Sequence, residues 1–244
     1  MKFHLVIPVH NESEIILNSV KVIKNSLSKS LEKSFQWKII LAENGSADNT
    51  LQIINGLKKD DRDERLEVLN LPNAGKGYAI KESAKNFLLN SGDIFGFIDA
   101  DLSSHPDNIS LLLEKMRQGG ADIVVASRFY GINTIYEKRL RKFCSKIFAF
   151  TFRTIFSIPV KDIQCGLKIM NSKAVKTLLE CKENSWFLDT EFMAKAPRIG
   201  LKIAEVPIEW KEKVYKNRKS KLNLFKDGSR SLSALWRIWW RLHF

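Results

Sequence analysis

Through the first half of the chain, short apolar runs alternate with segments whose apolar positions recur every three to four residues. Phe3–Val9 is a compact β-rich run, the pattern of a strand covered on both faces. Glu12–Leu27 has helical spacing, with Asn11 placed as its cap. The alternation continues with strands predicted at Trp37–Ala42, Leu66–Leu69, Ile94–Ile98 and Ile123–Ala126. Helices are predicted between them at Asp48–Leu57, Lys76–Leu89 and Ile109–Arg117. Repeated β-α-β units of this kind predict an α/β fold. Its core is a doubly wound, mostly parallel sheet with helices on both faces.

The second half is less regular. A helix is expected at Leu140–Phe156, strands at Lys161–Ile169 and Ile203–Trp210, and helical material between those strands. Lys58–Arg65 reads as a charged surface loop and Lys211–Lys221 as a basic one. Leu224–Leu242 reads as a terminal helix. No repeat, low-complexity tract or linker interrupts the chain. The expected organisation is one domain over residues 1–225 and a C-terminal helix over residues 226–244.

Charge narrows the partners. A formal net charge of +13 favours nucleic acid, anionic lipid or phosphorylated substrates. No helix-turn-helix, zinc-finger or RNA-recognition signature accompanies it, so nucleic acid is not the expected partner. The three cysteines form no Cys-x-x-Cys pair, which argues against a zinc site and for reduced thiols in a cytosolic setting. No apolar stretch approaches the roughly 20 residues of a membrane span. The nearest, 143–160, is broken by Lys146 and Arg153. The N-terminal apolar run is too short for a signal peptide. At about 100° per residue, Leu232, Leu235, Trp236, Ile238, Trp239, Trp240 and Leu242 share one arc of the terminal helix. Arg230, Arg237 and Arg241 lie opposite. Leu140–Phe156 splits the same way. Both helices are expected at a membrane surface, with packing on the core or on a second subunit as the other use of such a pattern.

Ligands of doubly wound folds bind beyond the carboxyl ends of the strands. Three polar clusters fall there: Pro8-Val9-His10-Asn11-Glu12, Glu43-Asn44-Gly45-Ser46-Ala47-Asp48 and Asp99-Ala100-Asp101. Paired carboxylates after a buried strand suit a hard divalent cation, Mg2+ or Mn2+, that shares its remaining positions with substrate phosphates. Alone, the same tripeptide also suits an ordinary acidic turn. Asn73-Ala74-Gly75-Lys76-Gly77 precedes a helix. Its glycines allow close backbone approach, and Lys76 is placed to meet a phosphate or a base.

Together with Ala126-Ser127-Arg128-Phe129, these segments resemble glycosyltransferase family 2, whose members have the GT-A fold. The resemblance spans about residues 3–230. It implies that Pro8, Asn11, Glu12, Glu43 and Asp48 line a nucleotide pocket. It implies that Asp101 holds the metal, with Asp99 beside it near the ribose. One departure is Glu43-Asn44, where the family usually has Asp-Asp.

Three further segments resemble the dolichyl-phosphate glucosyltransferase subgroup. They are Asp162-Ile163-Gln164-Cys165-Gly166-Leu167-Lys168, Trp186-Phe187-Leu188-Asp189-Thr190-Glu191 and Val206-Pro207-Ile208-Glu209-Trp210. This implies inverting transfer of a hexose to a polyprenyl phosphate on the cytoplasmic face of a membrane. UDP-glucose is the favoured donor and GDP-mannose the other candidate. Such an acceptor is already anionic, so positioning and charge stabilisation should carry the reaction. Arg128, Lys168, Arg218 and Lys221 are the candidate cations for the acceptor and diphosphate. Asp189 and Glu191 are candidates to orient the acceptor or a cation, or else to cap their helix. A glycan or protein acceptor keeps the same donor chemistry, and a basic nucleic-acid-binding protein is the reading from another class.

Overall fold

The computed structural model describes residues 1–31, 35–60, 64–86, 92–129, 134–135, 139–211 and 224–243. Strand β1 (Lys2–Val9) leads through α1 (Ile16–Leu31) to β2 (Gln36–Asn44). Then come α2 (Thr50–Lys59), β3 (Leu66–Leu71), α3 (Lys76–Asn86), β4 (Ile94–Phe97), α4 (Asn108–Arg117) and β5 (Ile123–Ser127). The second half holds β6 (Thr134–Ile135), α5 (Arg139–Phe156), β7 (Lys168–Asn171), α6 (Ser172–Leu179) and α7 (Leu188–Arg198). It closes with β8 (Ile203–Pro207), β9 (Trp210–Lys211) and α8 (Leu224–His243).

The main sheet runs β3-β2-β1-β4-β7-β5-β8. Its pairs are parallel except those of β7, which lies antiparallel between β4 and β5. That reversal decides what reaches the ligand edge. The parallel strands end there, and β7 begins there, with Lys168 paired to Phe97 on one side and Val125 on the other.

Side chains alternate between the faces of the sheet, and each face buries its own cluster. Leu5, Ile7, Ile39 and Val124 pack with Ile16, Val20 and Ile23 of α1 and Leu112 of α4. Val6, Ile40, Phe97 and Val125 pack with Ile80 of α3, Phe152 and Phe156 of α5, and Phe192 of α7. Ala234 and Ile238 of α8 are fully buried in this second cluster. The terminal helix therefore divides its apolar arc. One flank seats on the core, while Leu232, Trp236 and Trp240 stay exposed.

Several boundaries differ from expectation. Helix α1 begins at Ile16, because Asn11 has a positive φ of 53° and belongs to the preceding loop. The first turn is opened by the Glu12 carbonyl, which accepts from the N–H groups of Ile15 and Ile16. Residues 161–167 form turns rather than a strand, since their polar groups bond to Glu205 and Arg128 instead of a neighbouring ladder. The segment Ile203–Trp210 splits into β8 and β9, and β9 pairs with β6, a strand too short to leave a pattern. Residues 87–91 of the third helix, 61–63 of the charged loop and 212–221 of the basic loop lie outside the described residues.

Phe192 is 1% exposed at the centre of the second cluster. Phe192→Ala should lower stability by about 3–5 kcal/mol, read as a lower urea midpoint.

Candidate active site

The ends of β1, β2, β4 and β5 bring the four sequence-distant segments to one edge. The turn Asp99-Ala100-Asp101 is gripped from below by Ser19 of α1, whose hydroxyl donates to the Ala100 carbonyl at 2.6 Å. Asp101 Oδ1 accepts the Ser103 N–H at 3.0 Å.

At the centre lies a row of alternating charges. Lys76 Nζ, at the start of α3, is 2.8 Å from Asp99 Oδ1 and 3.6 Å from Asp189 Oδ2. Lys168 Nζ is 2.6 Å from Asp189 Oδ1 and donates to the Cys165 carbonyl at 2.7 Å. Both ammonium groups stand 5.6 Å from the Phe97 ring centroid, which favours cations on its face. Burial opposes the charge of Lys76, but Asp99 and Asp189 outweigh it and hold the ammonium well above its ordinary range. For Asp99 the cleft walls push the carboxyl upward, Lys76 pulls it down, and Asp101 pushes it up again, with a net rise.

Glycines permit these approaches, though not for the expected reason. A Cβ on Gly166 would stand 1.9 Å from Asp99 Oδ2, so this position leaves the space that Asp99 fills. Cβ atoms on Gly75 and Gly77 would lie 2.6 Å from the Asn184 and Ser185 carbonyl oxygens. These two glycines bring α3 against the segment before α7. They were expected to admit a ligand.

On one flank, two turns lock together. Asn11 Oδ1 accepts the Ala47 N–H at 2.7 Å, and its own N–H donates to Ser46 Oγ at 2.9 Å. Glu43 is buried and accepts the Ser46 N–H. The Glu12 N–H donates to Thr50 Oγ1 at 2.9 Å. Burial opposes ionisation of Asp48, yet hydrogen bonds from Thr50 and Ser13 prevail and hold its carboxyl at about 2. Pro8 closes β1 beside them.

On the other flank, Arg128 grips the fully buried Asp162 with two guanidinium bonds of 2.7 and 2.8 Å and its own N–H at 2.9 Å. Its guanidinium lies 5.4 Å from the Trp210 ring. Burial works against the charge on Asp162, but Arg128 overrides it and keeps the carboxyl below its usual range.

The structure thus gathers Lys76, Asp99, Asp101, Lys168 and Asp189, with Asn11, Glu12, Glu43 and Asp48 on one side and Arg128 on the other. Lys168 is fully buried, so its charge acts on the cleft through Asp189 rather than by touching a ligand. Glu191 is not part of the row. Its carboxylate accepts the N–H groups of Lys182 and Glu183 and lies 3.6 Å from Arg241. Arg218 and Lys221 lie outside the described residues. Asp162 was missed as a site residue, although its segment carried the resemblance.

Among the described residues, no cluster of three or more His, Cys, Asp or Glu side chains could hold a metal unaided. The donors present fit a cation that takes only one or two carboxylates and completes its shell from phosphate and water. A cation there would also relieve the crowding of Asp99 by Asp101.

The sequence model of glycosyl transferase family 2 matches residues 4–179. The chain belongs to this family. It is 30% identical over 98% of its length to glycosyltransferase AglD of Haloferax volcanii, of which it spans 37%. It is 29% identical over 85% of its length to a dolichyl-phosphate beta-glucosyltransferase of Saccharomyces cerevisiae, of which it spans 66%. It is 30% identical to dolichyl-phosphate beta-glucosyltransferase ALG5C of Trichomonas vaginalis, over 85% of its length and 63% of the relative's. Glucosyl-3-phosphoglycerate synthase from Mycobacterium tuberculosis, solved with Mn2+, UDP and glucosyl-3-phosphoglycerate, has a similar fold. Its TM-score is 0.67 at 21% identity, covering 97% of this chain and 79% of that one. The fold is thus the GT-A type that the family resemblance implied.

Two outcomes follow from this geometry. Asp162 has a depressed native pKa, so its stabilisation is complete above about pH 4 and is lost as pH falls through the native value. Asp162→Asn should therefore cost about 3 kcal/mol at pH 7 and much less at pH 3, in urea titrations at both values. Gly166→Ala should displace Asp99 and lower stability by about 1–3 kcal/mol in thermal unfolding.

Proposed function

We propose that this chain transfers a hexose, glucose from UDP-glucose before mannose from GDP-mannose, to dolichyl or polyprenyl phosphate with inversion at the anomeric carbon. The observation that carries the reading is the charge row Lys168–Asp189–Lys76–Asp99 beside Asp101, at the ligand edge of a family 2 fold. The relatives named as dolichyl-phosphate glucosyltransferases support the acceptor.

The exposed surface supports a lipid. Beside Arg128, a groove of about 190 Å³ is lined by Phe129, Lys146, Ala149, Phe150, Arg153 and Lys161. Cations set among apolar walls suit a phosphate carried on a hydrocarbon chain. Phe150 of α5 and Leu232, Trp236 and Trp240 of α8 are exposed, as an interfacial protein requires. Among the described residues, no helix is long and apolar enough to cross a membrane. The proposed location, which rests on these exposed side chains and the named relatives, is peripheral on the cytoplasmic face of a membrane.

The acceptor phosphate attacks the anomeric carbon as an anion, so no strong base is needed. The interlocked turns carrying Pro8, Asn11, Glu12, Glu43 and Asp48 hold the base and ribose. Asp101, with Asp99 beside it, would hold Mg2+ or Mn2+, which would supply Lewis-acid neutralisation of the diphosphate. Lys76 adds a cation at the same edge, and its charge is secured by the two carboxylates flanking it. Asp189 orients Lys76 and Lys168. Arg128 steadies the loop that carries Gly166, while Arg218 and Lys221 are the proposed further cations for the acceptor. Glu191 supports this machinery from behind.

The test is transfer of radiolabelled glucose to a short polyprenyl phosphate with Mg2+ or Mn2+, followed by extraction into organic solvent. Label should move to the organic phase, and Asp101→Ala should lower the rate by about 10²–10³. Product confined to the aqueous phase would sink the lipid acceptor.

A further inference from the structure

Residues 181–187, which join α6 to α7, contact three elements that no local pattern connects. Toward the site, the Asn184 carbonyl accepts the Tyr78 N–H at 2.9 Å, and Gly75 and Gly77 press on Asn184 and Ser185. From α7, Glu191 Oε2 accepts the N–H groups of Lys182 and Glu183 at 2.9 and 2.7 Å. From α8, Arg237 meets both Glu183 oxygens through Nε and Nη2 at 3.1 and 3.2 Å. Arg241 Nη1 lies 3.1 Å from Glu183 and 3.6 Å from Glu191. The Glu183 and Glu191 side chains are each 6% exposed. Among the described residues, Lys81 of α3 also faces this segment and donates to the Cys181 carbonyl at 2.8 Å. Lys195 of α7 pairs with Glu180 at its edge.

We propose that Arg237 and Arg241 are positioning residues for the active site. By neutralising Glu183 and Glu191, they fix the 181–187 segment, and through it Lys76 and Asp189. The arginines were expected to face lipid, yet they turn inward to this pair of carboxylates. Without them, the two buried carboxylates lose the guanidinium groups that pair with them, which is costly in a buried position. Glu183 then moves toward water. Asn184 and Ser185 leave the seats formed by Gly75 and Gly77, and the start of α3 loses its fixed distance from α7. Among the described side chains of helix α8, Ala234 and Ile238 are buried and Trp236 and Trp240 are exposed. The seating of this helix therefore sets the geometry of the reacting edge. As a statement about turnover this rests on the proposed transfer activity. As a statement about coupling it does not.

Hydrogen exchange of the full chain, read by mass spectrometry, separates the two. In Arg237→Ala/Arg241→Ala, amides of residues 75–79 and 182–188 should exchange about tenfold faster than in the parent. Adding Glu183→Gln should restore much of that protection, because the stranded charge is gone. Turnover should fall by a similar factor, mainly in kcat rather than in the KM for the nucleotide sugar, and recover with the same second substitution. Faster exchange confined to α8, or no recovery with Glu183→Gln, overturns the proposal. If the double variant does not fold, Arg237→Lys provides the same comparison with the charge kept and the guanidinium fork lost. A parent chain without transfer activity would defeat the proposed function, while the exchange data still decide the coupling.

Discussion

The contact between Lys168 and Asp189 is the constraint on which the rest of the site depends. Lys168 is fully buried between two strands, where an unpaired ammonium would be very costly. Asp189 meets that charge, and its second oxygen is then available to Lys76. Lys76 in turn meets Asp99. Each group is tolerable only because the next one is present. The row ends at Asp99, with Asp101 beside it on the same turn.

The same logic explains why so many glycines and short turns crowd one edge. A row of four charged side chains from four segments must close to within about hydrogen-bond distance. Gly166 makes room for a carboxylate, whereas Gly75 and Gly77 make room for another stretch of backbone. These are steric requirements of assembly, and any benefit to a ligand is secondary.

Much of the first half could be read from pattern alone. Strands β1, β2, β4 and β5 are nearly continuous apolar runs because both sheet faces are covered, and the turns after them carry the polar clusters. The second half resisted reading for specific reasons. Strand β7 is four residues long and starts with a lysine, so its apolar signal is weak and its reversed direction leaves no trace. Residues 161–167 are rich in apolar side chains, but the Lys161 and Asp162 N–H groups are committed to Glu205 and the Asp162 carboxylate to Arg128. The broad apolar arc of α8 was visible, yet the division between core-seated Ile238 and exposed Trp236 depends on where Glu183 sits. Position after a buried strand pointed to Asp99 and Asp101, and family resemblance pointed to Asp189. It did not reveal that Lys168 works from beneath or that Glu191 faces away.

The reversed strand β7 has a consequence for how the molecule is made. Asp99 and Asp101 leave the ribosome well before Lys168 and Asp189, and Arg128 precedes its partner Asp162. An emerging chain can therefore complete the parallel strands β1 to β4 while its ligand edge still lacks half of its charges. That edge stays open to water until a strand from much later in the chain inserts between β4 and β5. That insertion joins segments distant in sequence, a step with high loop-closure cost. A chain stopped short of residue 189 would hold the interlocked turns of Asn11 and Ser46 with the charge row incomplete, so the order of synthesis itself postpones the closing of this edge until the fold is nearly whole.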